Sequence, residues 1–225
     1  MTAASTSVST TVLKSMPMFA TFSQEQLQAL MAMISRRSAP RGAAIMHEGD
    51  PTDSLYIVIS GRLKVMMGEA DGKETILSII GPGEFFGEMG LIDDNPRSAS
   101  VIAIEPAELL ALTKRAFRKC LVENSDLAMA VMRVLVKRLR EADRKIGSLA
   151  MLDVYGRVAR LLLDMSEDVN GERVVTRRLT KQDIGKMVGA TREMVSKVMK
   201  DLQVNGYIDV QGSTIVLRDT NPRSP

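Results

Sequence analysis

One short stretch, GEFFGEMGLIDDNPRSA at residues 83–99, decides how the rest of the chain is interpreted, and we call it the cassette. Its closely spaced glycines let backbone N–H groups approach a ligand, and Arg97 can bind a phosphate through a rigid fork of donors. A carboxylate beside a phosphate would repel it, so Glu88 is better suited to accept a hydrogen bond from a sugar hydroxyl. A phosphate contact and a ribose contact in one loop indicate a nucleotide site.

The composition is that of a protein with a buried core. The chain has 225 residues, of which 45% are apolar and 25% charged, and this length suits one or two domains. No apolar run is long enough to span a bilayer. Because the start of the chain is neither basic nor apolar, we expect a cytoplasmic protein that has no signal peptide and no membrane partner. The Ser/Thr/Ala-rich residues 1–15 are expected to form a disordered tail.

The chain has one cysteine, Cys120, and one histidine, His47, and this excludes several kinds of site. A single cysteine cannot form an intramolecular disulfide, a cysteine-based zinc site or a cysteine-ligated iron–sulfur cluster. A single histidine beside acidic turn residues does not make a catalytic triad. We therefore expect no catalytic residue, no metal and no bound cofactor.

The middle of the chain changes from short strands to a long helix. Apolar or alternating runs separated by Gly, Pro and Asp turns follow Arg37 and continue to Leu112, which predicts a β-sandwich or barrel. A short helix is expected over 114–121. A longer helix follows over 126–149, with neither Gly nor Pro before Gly147.

Along the long helix, apolar residues recur at steps of three and four, which is typical of a helix that packs lengthwise on another helix. A second apolar stripe indicates two neighbours, the chain's own β-domain and a second copy of the chain. The alternative is a helix that lies only on its own domain. A cation such as Arg138 is costly in such an interface unless its head reaches solvent or an anion pairs with it. We expect a bound phosphate or base to complete its site. The first stripe is Ala128, Val131, Leu135, Arg138, Ala142, Lys145 and Leu149, and the second is Leu127, Val134, Leu139 and Ile146.

The last third of the chain predicts a winged helix-turn-helix. A hinge is expected at 148–153, followed by a helix over 154–165. Two further helices, at 181–188 and 192–204, are joined by a short turn that contains glycine, as in a helix-turn-helix. The alternating residues 207–217 predict a hairpin that would form the wing.

Positive charge is concentrated in this module. Residues 173–200 contain eight basic and two acidic side chains, whereas the whole chain has a net charge of only +3. Such a surface binds phosphates by releasing counterions. The first residues of a recognition helix reach base edges, so we expect Arg192 to bind guanine and Glu193 to accept from cytosine. The predicted DNA-binding residues are Lys181, Thr191, Arg192, Glu193, Ser196 and Lys197.

Together, the cassette, the long helix and the winged module resemble the catabolite activator (cyclic AMP receptor)/fumarate-nitrate regulator family of bacterial transcription factors. The segments SLAMLDVYGRV at 148–158 and GATRE at 189–193 are also similar to that family. The resemblance implies an α+β fold with a cyclic-nucleotide-binding β-roll, jelly-roll-like, at 16–124. A dimerisation helix with a hinge at 125–152 and a winged helix-turn-helix DNA-binding domain at 153–225 would follow.

The same resemblance implies where a ligand would bind. It puts Gly87 and Glu88 at the ribose, Arg97 and Ser98 at the cyclic phosphate, and Arg138 near the ligand. The implied ligand-binding set is Gly87, Glu88, Met89, Arg97, Ser98, Arg138, Ala142 and Asp143.

The chain departs from the family at the two positions that hold the nucleobase of the ligand. Cyclic-AMP-responsive members hold adenine with a Thr-Ser pair at positions where this chain has Ala142 and Asp143. An aspartate pairs well with the N1–H and N2–H edge of guanine. Either cyclic AMP or cyclic di-GMP is therefore the expected allosteric effector.

The implied function is a cyclic-nucleotide-responsive homodimer that binds palindromic double-stranded DNA and contacts RNA polymerase. Two alternatives remain open at this point. One is a constitutive regulator of the same family with a vestigial ligand pocket. The other is an enzyme such as a nucleotide phosphodiesterase, against which the lack of a metal-ligand cluster counts. The choice between activator and repressor, the operator sequence and the target genes are not encoded in these patterns.

Overall fold

The structure, a computed structural model, describes residues 10–68, 72–176, 179–212 and 214–218. The chain divides into two compact units, and the boundary between Leu139 and Arg140 falls within a long helix.

The first unit contains two four-stranded antiparallel sheets and the helices packed on one of them. The strands are β1 (Ile34–Ala39), β2 (Ala44–Met46), β3 (Ser54–Ser60), β4 (Leu63–Gly68), β5 (Glu74–Ile80), β6 (Phe85–Phe86), β7 (Ser100–Ala103) and β8 (Ala107–Thr113). The helices are α1 (Thr10–Lys14), a 3-10 turn (Pro17–Phe19), α2 (Gln24–Met31), α3 (Met89–Asp93), α4 (Lys114–Glu123) and the start of α5 (Ser125–Met151). The strand orders are β1-β8-β3-β6 and β2-β7-β4-β5, so the predicted β-domain is confirmed.

Strand β3 is apolar on both faces because it separates two cores. Successive side chains of a strand point to opposite faces. Tyr56 and Val58 enter the core between the two sheets, whereas Leu55 and Ile57 enter a second core beneath the helices. The run LYIVI therefore belongs to a central strand that is covered on both sides.

Helix α5 turns a different face to its own domain from the one that the heptad pattern predicted. Leu127 and Val131 are buried in the core beneath the helices, and Val134 and Leu135 pack against it. The predicted first stripe is therefore wrong as a free seam, because two of its members, Val131 and Leu135, are held within the domain. Leu149 and Met151 near the end of α5 remain exposed. Five other exposed apolar side chains of α5 follow another stripe, Met129, Met132, Val136, Leu139 and Ile146, which we call the exposed stripe.

Two boundaries also differ from the sequence-based expectation. The tail expected at 1–15 is too long, because Thr10–Lys14 form α1 and Leu13 is fully buried in the core beneath the helices; residues 1–9 lie outside the described residues. The long helix extends beyond its expected end at residue 149 to Met151, so that only residues 152 and 153 of the hinge expected at 148–153 lie outside a helix. Without a left-handed backbone at Gly147, the helix runs through it.

The second unit is a three-helix core with a four-stranded antiparallel sheet. Its further elements are α6 (Val154–Met165), β9 (Glu167–Val169), β10 (Glu172–Val175), α7 (Lys181–Val188), α8 (Arg192–Val204), β11 (Ile208–Gln211) and β12 (Thr214–Leu217). The strand order is β11-β12-β10-β9. The predicted wing hairpin is confirmed. In addition, β9 and β10 form a hairpin that the sequence analysis did not predict. Asn170 and Gly171 adopt positive φ angles that close its tight turn.

Candidate ligand site and nucleic-acid interface

Gly87 lets the cassette close on Arg97. It follows β6 with a φ of +81°, a left-handed conformation that favours glycine. A Cβ atom at this position would lie 2.4 Å from Nη1 of Arg97 and 3.2 Å from the Ser54 carbonyl oxygen. Any side chain here would push the guanidinium away, so this glycine is required for the close approach.

Arg97 is buried and held by three acceptors. Its side chain is only 3% exposed. Nη1 donates to the Gly87 carbonyl at 2.8 Å. Nη2 donates to the Ser54 carbonyl at 2.7 Å and to the Asp53 carboxylate at 3.2 Å. A guanidinium has five N–H donors, so this arrangement orients the group and leaves donors for an anion.

Glu88 and Arg138 join the cassette to helix α5. Arg138 Nη1 donates to Glu88 Oε1 at 2.7 Å, and the carboxylate is 4% exposed. The arginine also donates to the Phe85 carbonyl, and its Cζ atom lies 5.1 Å from the Phe85 ring centroid. The anionic partner that Arg138 requires is thus a carboxylate of its own domain. The Glu88 oxygen that the resemblance implied for a ribose hydroxyl belongs to this ion pair.

Helix α4 fixes the far end of the cassette. Asp94 ends α3 with a left-handed backbone and pairs with Lys114 at 2.6 Å and Arg118 at 2.9 Å. Hydrogen bonds from Lys114 and then from Arg118 lower the pKa of Asp94 to about 2. Arg118 Nε also donates to the Leu91 carbonyl at 2.9 Å. These contacts cap α3, whose first residue follows Glu88.

The remaining predicted ligand residues divide into two groups. Ser98 and Met89 are neighbours, since the Ser98 hydroxyl lies 3.5 Å from the Met89 sulfur. Ala142 and Asp143 follow Arg138 on α5, beyond the boundary of the first unit, and both are exposed. The structure therefore brings Gly87, Glu88, Arg97 and Arg138 together within the first unit.

Sequence reasoning missed three residues of β3 and the loop before it. Asp53 and Ser54 both accept from Arg97, although they lie 44 and 43 positions away in the chain. Tyr56 stacks on Phe86 with ring centroids 5.2 Å apart, and the Arg97 Cζ atom lies 5.8 Å from the Tyr56 centroid. The one signal in the sequence was Ser54, a polar residue directly before the apolar run at 55–59, and the structure buries it.

Helix caps and a close contact between Gly185 and Ala190 stabilise the helix-turn-helix of the second unit. The Thr180 hydroxyl and the Asp183 side chain form a capping box on α7, and the Thr191 hydroxyl accepts from the Met194 N–H to cap α8. A Cβ atom at Gly185 would lie 2.6 Å from the Ala190 carbonyl oxygen. The turn that leads into α8 therefore packs on α7 at backbone distance.

Helix α8 has one buried face and one exposed polar face, as predicted. Val195, Val198, Met199 and Leu202 are buried in the core of this unit. The polar face carries the predicted DNA-binding residues. Arg192, Glu193, Lys197 and the cap Thr191 are exposed, Ser196 is half-buried, and Lys181 at the start of α7 is exposed. Arg177 and Arg178 of the basic segment lie outside the described residues.

Comparison with known proteins identifies both units. Residues 36–124 match the model of the cyclic nucleotide-binding domain, and residues 156–221 match the Crp-like helix-turn-helix domain. The chain is 33% identical over 198 residues to the CRP-like cAMP-activated global transcriptional regulator of Mycobacterium tuberculosis, covering 86% of this chain and 88% of the relative. This chain belongs to the CRP/FNR family of transcription factors.

Other members of the CRP/FNR family agree in sequence and fold. The cAMP-activated regulator Vfr of Pseudomonas aeruginosa is 34% identical over 206 residues, which cover 87% of this chain and 95% of Vfr. The c-di-GMP-responsive regulator CLP of Xanthomonas campestris superposes with a TM-score of 0.72 at 32% identity, covering 84% of this chain and 96% of CLP. The family consists of transcription factors and not enzymes, so the phosphodiesterase alternative is set aside. Within the described residues, no helix has the length and apolar character to cross a membrane.

Proposed function

We propose that this protein is a homodimeric transcription regulator whose DNA binding is controlled by a cyclic nucleotide, either cyclic AMP or cyclic di-GMP. The observation that carries the proposal is the convergence of Gly87, Arg97 and the Glu88–Arg138 pair in the first unit. A buried guanidinium fixed by backbone carbonyls is a preorganised anion site. Because Arg138 lies on α5, occupation of this site acts directly on the helix that leads to the DNA-binding unit.

The proposed dimer uses the exposed stripe of α5. Its residues follow the three–four spacing of a two-stranded coiled coil, with Asp143 filling the step between Leu139 and Ile146. The five large apolar side chains of this stripe are exposed and call for a partner surface. A second copy presents the same stripe and would pair by two-fold symmetry. That symmetry would give two α8 helices for the two halves of a palindromic operator.

Two observations suggest the candidate effectors: the ligands of the relatives, and the residues at the two positions where the family holds the nucleobase. One set of relatives is activated by cyclic AMP, and CLP responds to cyclic di-GMP. Ala142 lacks a hydrogen-bonding side chain, whereas Asp143 is an acceptor that suits guanine N–H donors. RNA polymerase is the further proposed partner. The proposed place of action is the cytoplasm, where a bacterial regulator meets its operator.

The deciding experiment is a ligand panel. Purified protein is titrated by calorimetry with cyclic AMP, cyclic GMP and cyclic di-GMP, beside Arg97→Ala as the matched control. The proposal expects at least one ligand to bind the wild type and to lose most of its affinity in the variant. The protein should also select DNA from a random pool, with and without that ligand. The selected sequence should be palindromic, and the protein's affinity for it should change when the ligand is added.

A second candidate function is a constitutive regulator of the same family. The observation in its favour is that Glu88 pairs with Arg138 and that three of the five Arg97 donors already have protein partners, two carbonyls and Asp53. Equal operator affinity with and without every ligand of the panel would support this candidate and contradict the first.

The choice of base is proposed to depend on Ala142 and Asp143. Restoring the family pair through Ala142→Thr with Asp143→Ser adds two hydroxyls and removes a carboxylate. The double variant should therefore gain affinity for cyclic AMP relative to the guanine-containing ligands. An unchanged ligand ranking would show that α5 does not select the base.

A further inference from the structure

Asp53 is the one charged group among the three partners of Arg97. The other two are the backbone carbonyls of Gly87 and Ser54, at 2.8 and 2.7 Å. The Asp53 carboxylate stands 3.2 Å from Nη2, and it is 74% exposed while the arginine side chain is 3% exposed. Arg97 therefore has two fixed neutral acceptors and one solvent-facing anion.

The position of Asp53 is set by the sheet and not by Arg97. Its backbone carbonyl accepts from the Lys114 N–H at 2.7 Å. The next residue, Ser54, begins β3 and pairs with Thr113. The backbone frame thus holds this carboxylate beside the guanidinium even when its ion pair is disturbed.

Arg97 does not depend on Asp53 for its orientation. Nη1 and Nη2 each donate to a carbonyl that belongs to the rigid frame, and the group is packed within 5.8 Å of the Tyr56 ring centroid. Ion pairs with an exposed carboxylate contribute little to stability. Removing the carboxylate leaves both carbonyl contacts in place.

We propose that Asp53 is an internal competitor of the effector's phosphate and lowers the affinity of the site. The inference rests on the proposed function, since it takes Arg97 as the phosphate-binding group. A phosphodiester that accepts from Arg97 brings a negative charge within a few ångströms of the Asp53 carboxylate. Like charges at that distance disfavour the bound state. The effector concentration needed to occupy the site is therefore set partly by this residue.

The test compares Asp53→Asn with the wild type by calorimetry, using cyclic AMP and cyclic di-GMP. The asparagine keeps the size and the hydrogen-bonding oxygen but removes the charge. We expect the Kd for the bound ligand to fall about fivefold in 50 mM salt, an estimate for unit charges about 4 Å apart in a water-like medium. In 500 mM salt the gain should shrink, because screening weakens repulsion between exposed charges.

Two controls separate repulsion from general effects. Glu105→Gln removes another exposed carboxylate, which pairs with Arg62 at 3.3 Å in the same unit, and should leave the Kd unchanged. Asp53→Ser removes the charge with a smaller side chain that carries a hydroxyl instead of an amide. It should tighten ligand binding as Asp53→Asn does. Equal unfolding midpoints for all variants would show that affinity alone has changed.

The inference is overturned if Asp53→Asn binds the ligand with the same affinity as the wild type, or more weakly. A weakened site would make Asp53 a residue that positions Arg97. Failure of the proposed function has a different signature, the absence of binding by the wild type to every ligand of the panel, and it would remove the basis of the inference as well.

Discussion

The Arg138 guanidinium and the Glu88 carboxylate lie 2.7 Å apart, one on helix α5 and the other at the start of α3. The carboxylate is buried, so it depends on this partner. A buried charge that loses its counter-ion is destabilising, whereas removal of both charges is tolerated much better.

A double-mutant cycle with Glu88→Gln and Arg138→Met should therefore give a coupling energy of about 1–3 kcal/mol in urea unfolding. The control cycle uses Arg160 and Asp164, an exposed i,i+4 pair, for which about 0.3–0.5 kcal/mol is expected. Equal coupling in the two cycles would show that the buried pair does not hold α5 to the cassette.

Arg97→Ala should abolish tight effector binding and also lower stability. The substitution removes the phosphate donor, but it also leaves the Gly87 and Ser54 carbonyls without their partner. A buried acceptor left unsatisfied loses about 1–3 kcal/mol. Urea midpoints and calorimetry on the same preparations measure both effects, and affinity within a few-fold of wild type would refute the role of Arg97.

Val136→Glu should convert the proposed dimer into monomers. The side chain belongs to the exposed stripe and is 50% exposed, so a charge there affects association and not the core. Val122→Glu, at an 87% exposed position of α4, is the matched control and should leave the dimer intact. Leu135→Glu should instead destabilise the first unit, because Leu135 packs on its core. Light scattering that finds a dimer in Val136→Glu contradicts the proposed seam.

Glu193→Ala should relax base preference at one position per half-site by about 1–3 kcal/mol. Lys181→Ala should instead weaken specific and random DNA alike and reduce the slope of affinity against salt, because it loses a phosphate contact. Electrophoretic titrations on both DNAs at several salt concentrations separate the two roles. If both variants changed specific and random binding identically, the assignment of base reader and phosphate contact would fail.

The contribution of Asp94 to stability should disappear in acid. Its folded-state pKa is about 2, below the ordinary value of 3.8, so its paired anion stabilises the fold fully above pH 3.8 and progressively less as the pH falls toward 2. Asp94→Asn should therefore have a lower urea midpoint than the wild type at pH 6, and the two midpoints should converge between pH 4 and 2.5. A difference that is constant with pH would exclude the ion pairs with Lys114 and Arg118 as its cause.

Features encoded locally were predictable from the sequence. The helix-turn-helix follows from Thr180, Asp183, Gly189 and Thr191, each of which acts on its own helix end. The cassette was recognisable because its glycines and Arg97 lie within one loop. The strands around it were predictable from their spacing and turn residues.

Features that depend on partners far away in the sequence could not be predicted. The pairing of Arg138 with Glu88 spans 50 positions, and that of Arg97 with Asp53 spans 44. The face of α5 was misassigned because apolar residues occur in adjacent registers, such as Leu135 and Val136. Only packing beneath α1, α2 and α4 decides which register is buried, and the periodicity of one helix contains no information on that surface.

The backbone contact at Gly185 also determines how much order the DNA-reading unit must gain when it binds. Because both helices are capped and the turn between them packs on Gly185, we expect α8 to be formed before it meets DNA and to lose little conformational entropy at the operator. Folding coupled to binding would give a large negative heat-capacity change, well beyond that of the surface buried. Here the heat capacity of association should reflect the contact area alone, and selection among operators depends on complementarity rather than on induced order.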